Sequence, residues 1–263
     1  MNSLLSFFGD SLVMTRRNLL RLFRTPQVLV FSTIQPILFV ILFDSVFGGS
    51  ITPPGFENYI DFLVPGIMVQ TAMFASINTG VGVAEDLEKG AIDRFRSLPM
   101  ARTAVLFGRT NADGFRTLFV MTIVICIGFL VGFRPTTGIL NLLTGLALAV
   151  LFANAIQWAF VFLALMLRSL EAVQAASFAP TFPLVFAAST FAPVQNMPSW
   201  LKGFAEHQPV TVTVDSVRGL FFGSEVLEAS GGSLSSSILM SLAWIALIFA
   251  VFVSLSSWRF RRN

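Results

Sequence analysis

Six stretches of mostly apolar residues, near positions 28–47, 62–84, 115–133, 139–167, 172–192 and 238–258, alternate with short polar segments along the chain. About 20 helical residues cover a hydrocarbon core of ~30 Å, so each stretch is long enough to cross a bilayer as an α-helix. The pattern predicts an all-α, polytopic membrane protein with six transmembrane helices, forming one domain over 1–263. Residues 4–24 pattern differently. Leu5, Phe8, Leu12, Leu19 and Phe23 share one helical face and Arg17, Arg21 and Arg24 another, which predicts an interfacial helix lying along one leaflet, within a connector over 1–26. Pro26 disfavours helical geometry at Thr25, where the chain is expected to turn. Pro36 predicts a kink in the first span, and Pro180 with Pro183 a break or bend in the fifth. The segment 193–237 mixes Trp200, Leu201, Phe204 and Leu220 with charged residues, as short re-entrant helices dipping back into an interface would.

An even number of spans puts both termini on one side. Of the 17 basic residues, only Arg134, Lys202 and Arg218 then lie opposite, leaving 14 with the termini. Seven acidic residues fall on each side, so the net charge is +7 on the side of the termini and −4 on the other. Basic loops resist translocation, which predicts cytoplasmic termini. With 55% hydrophobic and 12% charged residues and a mean hydropathy of +0.79, a water-soluble globular protein is excluded. The pI near 9.7 follows from topology and does not indicate a nucleic-acid partner. No cleavable signal peptide is expected before the first span. The single cysteine, Cys126, sits inside the third span and is read as packing. Gly128 and Gly132, four apart in that span, are read as a close helix contact.

No phosphate-binding loop of the form G-x-x-x-x-G-K-[ST] occurs, so any energy from ATP has to come from another subunit. No catalytic or metal-ligating set is assigned: the lone His207 has no second histidine or paired cysteines near it, and Ser199, His207 and Asp215 match a triad only in residue type. The spans carry almost no ionisable groups, which disfavours an ion-coupled transporter. They do carry amides, Gln70, Asn78, Asn154, Gln157 and Gln174, among the 29 phenylalanines of the chain. Amides amid aromatics suit contact with an amphipathic substrate, although for any single residue helix-to-helix glue is the more ordinary role. Asp215 and Arg218 stand three apart on a predicted outer helix, where they can pair, and with Trp200 are candidates for an outer gate.

Four segments then stand out in order: QPILFVILFDSVFG at 35–48, YIDFLVPGIMVQ at 59–70, EDLEKGAIDRFRSLPMAR at 85–102 and MPSWLKGFAEHQP at 197–209. With the basic amphipathic start, they resemble the membrane subunit of type-2 ABC exporters, in particular permeases of daunorubicin-resistance systems. The third is similar to that family's E-x-x-x-G-x-x-x-x-x-x-x-P element, here spanning Asp86 or Glu88, Gly90 and Pro99. The resemblance implies a connector helix, a coupling segment within 85–116, re-entrant helices within 193–237, and a separate ABC ATPase subunit that binds ATP and Mg. It also implies a second membrane subunit, identical or homologous, and outward movement of an amphipathic drug or lipid. Asp86, Glu88, Lys89, Gly90, Arg94, Arg96 and Pro99 are the candidate coupling residues, their acids preceding their bases as suits a helix dipole. Export of a polysaccharide or teichoic acid, and an ATPase-independent channel or scaffold, are the rival readings.

Overall fold

The computed structural model describes residues 3–91, 101 and 103–262. Arg94, Arg96 and Pro99 of the coupling segment therefore lie outside the described residues, as do the side chains of Leu5 and Phe23. Among the described residues the regular secondary structure is all helical, with no strand. It comprises α1 (Ser3–Arg24), α2 (Pro26–Phe47), α3 (Tyr59–Glu88), α4 (Ala104–Val131), α5 (Ile139–Leu167), α6 (Leu170–Phe186), a 3-10 turn (Val194–Asn196), α7 (Ser199–His207), α8 (Pro209–Phe222), α9 (Glu225–Glu228) and α10 (Leu234–Arg262).

Five helices, α2, α3, α4, α5 and α10, are long and apolar enough to cross a membrane. The fifth predicted span is the exception. It becomes α6, 17 residues or about 25 Å long, continuous through Pro180 and Pro183 and ending at Phe186, with Ala187 N–H closing on the Pro183 carbonyl. The chain then turns through 187–193 toward the re-entrant helices rather than extending to 192 as expected. α2 likewise remains helical through the buried Pro36.

Hydrogen bonds between distant segments fix the antiparallel order. At the end carrying the termini, Glu88 on α3 accepts from Leu170 N–H at the start of α6 (2.7 Å), and Asp10 on α1 accepts from Ala101 N–H ahead of α4 (2.8 Å). At the far end, Asp61 at the start of α3 accepts from Arg134 N–H after α4 (2.8 Å), and Thr137 before α5 donates to the Leu220 carbonyl at the end of α8 (2.7 Å).

α3 is the centre of the bundle. It touches α2, α4, α5, α6 and α8, and nearly all of its residues are buried. Two glycines allow that closeness: a side chain at Gly66 would run into the Thr190 carbonyl, and one at Gly80 would meet Phe160 at 2.8 Å. The main apolar core, around Leu63, Ile67, Phe152 and Phe221, fills the middle and far end. A second, around Leu106, Trp158, Val161 and Phe260, fills the terminal end. α10 and α2 are peripheral, with Leu239, Leu247, Phe31, Leu38 and Leu42 exposed in the manner of lipid-facing residues.

α1 packs along α4 at Gly108, where a side chain would collide with Met14. Its buried face is Ser11, Met14 and Thr15, while Phe8 and Leu12 point outward. Of the apolar stripe read from the sequence, Phe8 and Leu12 are thus turned away from the bundle and Leu19 is partly buried, an arrangement that suits a helix resting in an interface. Two smaller expectations are corrected. Gly132 is not helical but caps α4 with φ 127°, so only Gly128 makes a close contact, 3.0 Å from Val64 Cγ2 for a side chain placed there. Cys126 is exposed rather than packed.

Candidate functional site

A cluster of polar side chains inside the apolar part of the bundle lies between α2, α3 and α4, in the half nearer the termini. It surrounds a cavity of 460 Å³. α2 contributes Gln27, Phe31 and Gln35, α3 contributes Gln70, Phe74 and Asn78, and α4 contributes Arg116, Thr117 and Val120. In both α2 and α3 the order is amide, phenylalanine, amide at i, i+4 and i+8, which places each triplet on one helical face. Gln70 is buried, and neither Oε1 nor Nε2 has a hydrogen-bond partner among the described residues. An amide buried without a partner costs about 1–3 kcal/mol unless something in the cavity satisfies it.

Of the five predicted pathway amides, the structure brings Gln70 and Asn78 together here. Asn154 faces a separate groove between α1, α4 and α5, against Gly114. Gln157 is fully buried next to Trp158 and lines no cavity, and Gln174 is exposed on α6. Sequence reading missed Gln27, Gln35, Arg116 and Thr117 as members of the site. The repeated amide–phenylalanine–amide spacing in the first two spans was the signal that could have found Gln27 and Gln35.

Below the cavity, toward the termini, α3 and α4 exchange charges. Arg109 Nη1 lies 2.6 Å from Asp86 Oδ2 and Arg109 Nε 3.6 Å from Asp113 Oδ2, and Arg116 Nη2 lies 3.5 Å from Asp113 Oδ1. The charged segment 85–116 is therefore helical at both flanks: α3 runs on to Glu88 and α4 begins at Ala104, so Arg109, Asp113 and Arg116 belong to a span and neutralise one another there. Lys89 pairs with Glu85 one turn back, and Gly90 follows with φ 64°, the left-handed stop that ends α3. Glu88 is engaged as the cap on α6 already described.

At the far end, Arg218 of α8 is 2% exposed and fully occupied. Its Nε and Nη2 donate to the Phe62 carbonyl (3.0 and 2.9 Å), Nη2 to the Ser189 carbonyl (2.6 Å), and Nη1 to Ser189 Oγ (3.0 Å) and Asp215 Oδ1 (3.1 Å). The guanidinium carbon sits 3.4 Å from the centroid of the Phe62 ring. The surface pair expected from the i, i+3 spacing is instead a buried clasp that fastens α8 to α3 and to the turn after α6. Asp215 also accepts from Ser189 Oγ (2.9 Å) and lines a 350 Å³ far-side cavity with Glu206 and His207. His207 Nδ1 bonds the Gly203 carbonyl of its own helix, so no triad forms with Asp215. Trp200, on α7, is 79% exposed.

The sequence from 11 to 222 matches the family model of the ABC-2 type transporter. The chain belongs to that family. It is similar to the daunorubicin resistance ABC transporter permease protein DrrB1 of Streptomyces coeruleorubidus, 28% identical over 76% of this chain and 70% of the relative. It also resembles a candidate transport permease, ycf38, of Cyanophora paradoxa, 28% identical over 87% and 80% of the two chains. A third relative, named as a candidate doxorubicin resistance ABC transporter permease protein, DrrC, of Mycobacterium tuberculosis, is 25% identical over 87% and 82%. The permease is thus the multi-pass membrane subunit of an ABC transporter.

Proposed function

We propose that the permease moves an amphipathic drug or lipid outward, driven by ATP that a separate nucleotide-binding subunit binds with Mg and hydrolyses. It works with a second membrane subunit, identical or homologous, in a bacterial plasma membrane, with both termini and the segment 85–116 cytoplasmic. The observation that supports this reading most is the cavity of amides and phenylalanines on the side of the termini, in a chain similar to permeases named for resistance to amphipathic drugs. Such a cavity offers both halves of an amphiphile a partner. Coupling through Asp86 and Lys89 is supported by their position at the end of α3, where a push on the segment that follows reaches the α3–α4 charge network and, through it, the cavity wall. Trp200, Asp215 and Arg218 belong to the cap that has to yield when substrate leaves.

The test is reconstitution of the permease with its co-purified ATPase, and a screen of ATPase stimulation by lipophilic drugs and native lipids. Stimulation by at least one of these, abolished by Arg94→Glu without loss of subunit association, is expected. Solute flux without any associated ATPase would replace the reading with a channel, and stimulation by polymeric glycans alone with a polysaccharide permease. Sidedness is checked separately. With Cys126 replaced, a cysteine introduced at Ser230 should react with an impermeant thiol reagent on intact cells and one at Ser97 should not; the reverse result would invert the topology.

A further inference from the structure

On the opposite face of α4 from the cavity described above, a groove of 470 Å³ opens between α1, α4 and α5. Phe8, Leu12 and Phe115 on its walls are 67, 71 and 56% exposed, so it faces the surroundings of the bundle and not its interior. Its polarity changes along its length. Asn111 lies about 10 Å into α4 from the end carrying the termini and Leu118 about 21 Å, with Gly114 and the Asn154 of α5 that meets it at a level between them. Beyond that level Phe115, Leu118 and Val150 make the groove apolar. Gly114 gives Asn154 its place, since a side chain there would stand 2.7 Å from Nδ2. Thr15 Oγ1 is turned inward to the Ser11 carbonyl (2.8 Å) and Ser11 Oγ is buried, which leaves two amides to meet a ligand. The side chains of Asn111 and Asn154 both open on the groove and make no hydrogen bond among the described residues. No carboxylate lines the groove, and Arg16, exposed one turn beyond Leu12 on α1, takes part in no ion pair among the described residues.

We propose that this groove holds one diacyl glycerophospholipid of the leaflet on the side of the termini, its ester carbonyls accepting hydrogen bonds from the amides of Asn111 and Asn154. The acyl chains lie on Phe115, Leu118 and Val150, and α1 covers the end nearer the termini. The order of polarity selects this occupant. A phospholipid presents phosphate, then ester carbonyls, then hydrocarbon along its length, and the groove offers an exposed cation, then two amides, then apolar side chains in the same order. Amides beside hydrocarbon are costly without a partner, and an ester supplies the acceptor they lack. Absence of a carboxylate leaves nothing to repel the phosphate. The site does not depend on what the permease exports.

The experiment uses the complete permease with its co-purified ATPase in nanodiscs whose bulk lipid is ether-linked phosphatidylcholine. Two phosphatidylglycerol probes carry the same diazirine in their chains and differ only in linkage, one diacyl and one dialkyl; the dialkyl probe lacks the carbonyl acceptors. At equal mole fraction the diacyl probe should label the groove, around Leu118 and Val150, about three- to tenfold more than the dialkyl probe, the ratio expected for one or two hydrogen bonds. Asn154→Leu, which exchanges the amide for an apolar group of similar size, should reduce that ratio toward one without lowering the unfolding temperature. Asn111→Leu, at an exposed position, gives the same readout with less demand on folding. Equal labelling of the groove by the two probes in the parent, or an ester preference retained in both variants, overturns the proposal. Labelling spread evenly over the exposed faces of α2 and α10 as well would mark ordinary surrounding lipid and also overturns it. With Cys126 replaced, a cysteine at Phe115 that forms a disulfide-linked dimer in the membrane would assign the groove to a second copy of the chain instead.

Discussion

A single side chain, Arg218, holds together parts of the far end that the chain contributes from three separate places. Its five donors reach the Phe62 carbonyl, the Ser189 backbone and hydroxyl, and Asp215, with none left for solvent. Removing Arg218 leaves the buried Phe62 and Ser189 acceptors without donors, at a cost of about 1–3 kcal/mol for each group left unsatisfied, while Asp215 keeps its access to the far-side cavity. Arg218→Ala should therefore lower the detergent-solubilised unfolding temperature sharply, and Arg218→Lys should recover only part of the loss, because an ammonium cannot reproduce the fork that bonds two carbonyls at once. Unfolding curves of the two variants indistinguishable from the parent would show that the clasp contributes little. The i, i+3 spacing identified the Asp215–Arg218 pair, but not its burial. The partners at Phe62 and Ser189 lie 156 and 29 residues away in sequence, beyond the reach of any local pattern.

Among the elements, α6 is the one whose identity depends most on a neighbour. At 17 residues it is short for a span, and its first turn is capped twice, by Ser169 Oγ for Ala172 N–H and by Glu88 for Leu170 N–H. Loss of such a cap typically costs about 1 kcal/mol. Glu88→Ala should thus raise amide hydrogen exchange in the first turn of α6 several-fold while leaving α5 protected; unchanged exchange at 170–173 would show that the contact does not stabilise the helix. For the same reason Glu88→Lys would disturb α6 as well as any docking surface, so Arg94 alone is the cleaner probe of coupling. Hydropathy located the long spans because each carries its own apolar signal. The end of α6, the helical flanks of 85–116 and the outward-facing stripe of α1 were settled by contacts between elements, to which a one-dimensional pattern is blind.

At the scale of the molecule, the bundle is arranged around α3, mostly buried and carrying Asp61, Gln70, Ser76 and Asn78, while peripheral α10 exposes Leu239, Leu242, Leu247, Phe249 and Val251 along its membrane-length stretch. A polypeptide enters a bilayer one span at a time, before its later helices exist to surround it. α3 is the least apolar of the five membrane-length helices, so lipid is a poor environment for it in isolation, whereas α10 needs no company. The helix at the centre of the finished protein is thus the one least secure during synthesis. In nascent chains truncated after residue 91, a cysteine introduced at Ser76 of α3, with Cys126 absent from the truncated chain, should react with a water-soluble thiol reagent in a substantial fraction of molecules, and protection should rise once α4 and α5 have been made. Full protection in the truncated chain would show that α3 settles without them. The stage of biogenesis at which the permease is most exposed to quality-control proteases therefore falls between the emergence of α3 and that of α5, and substitutions that make Gln70 or Asn78 apolar should shorten that interval even where they impair binding.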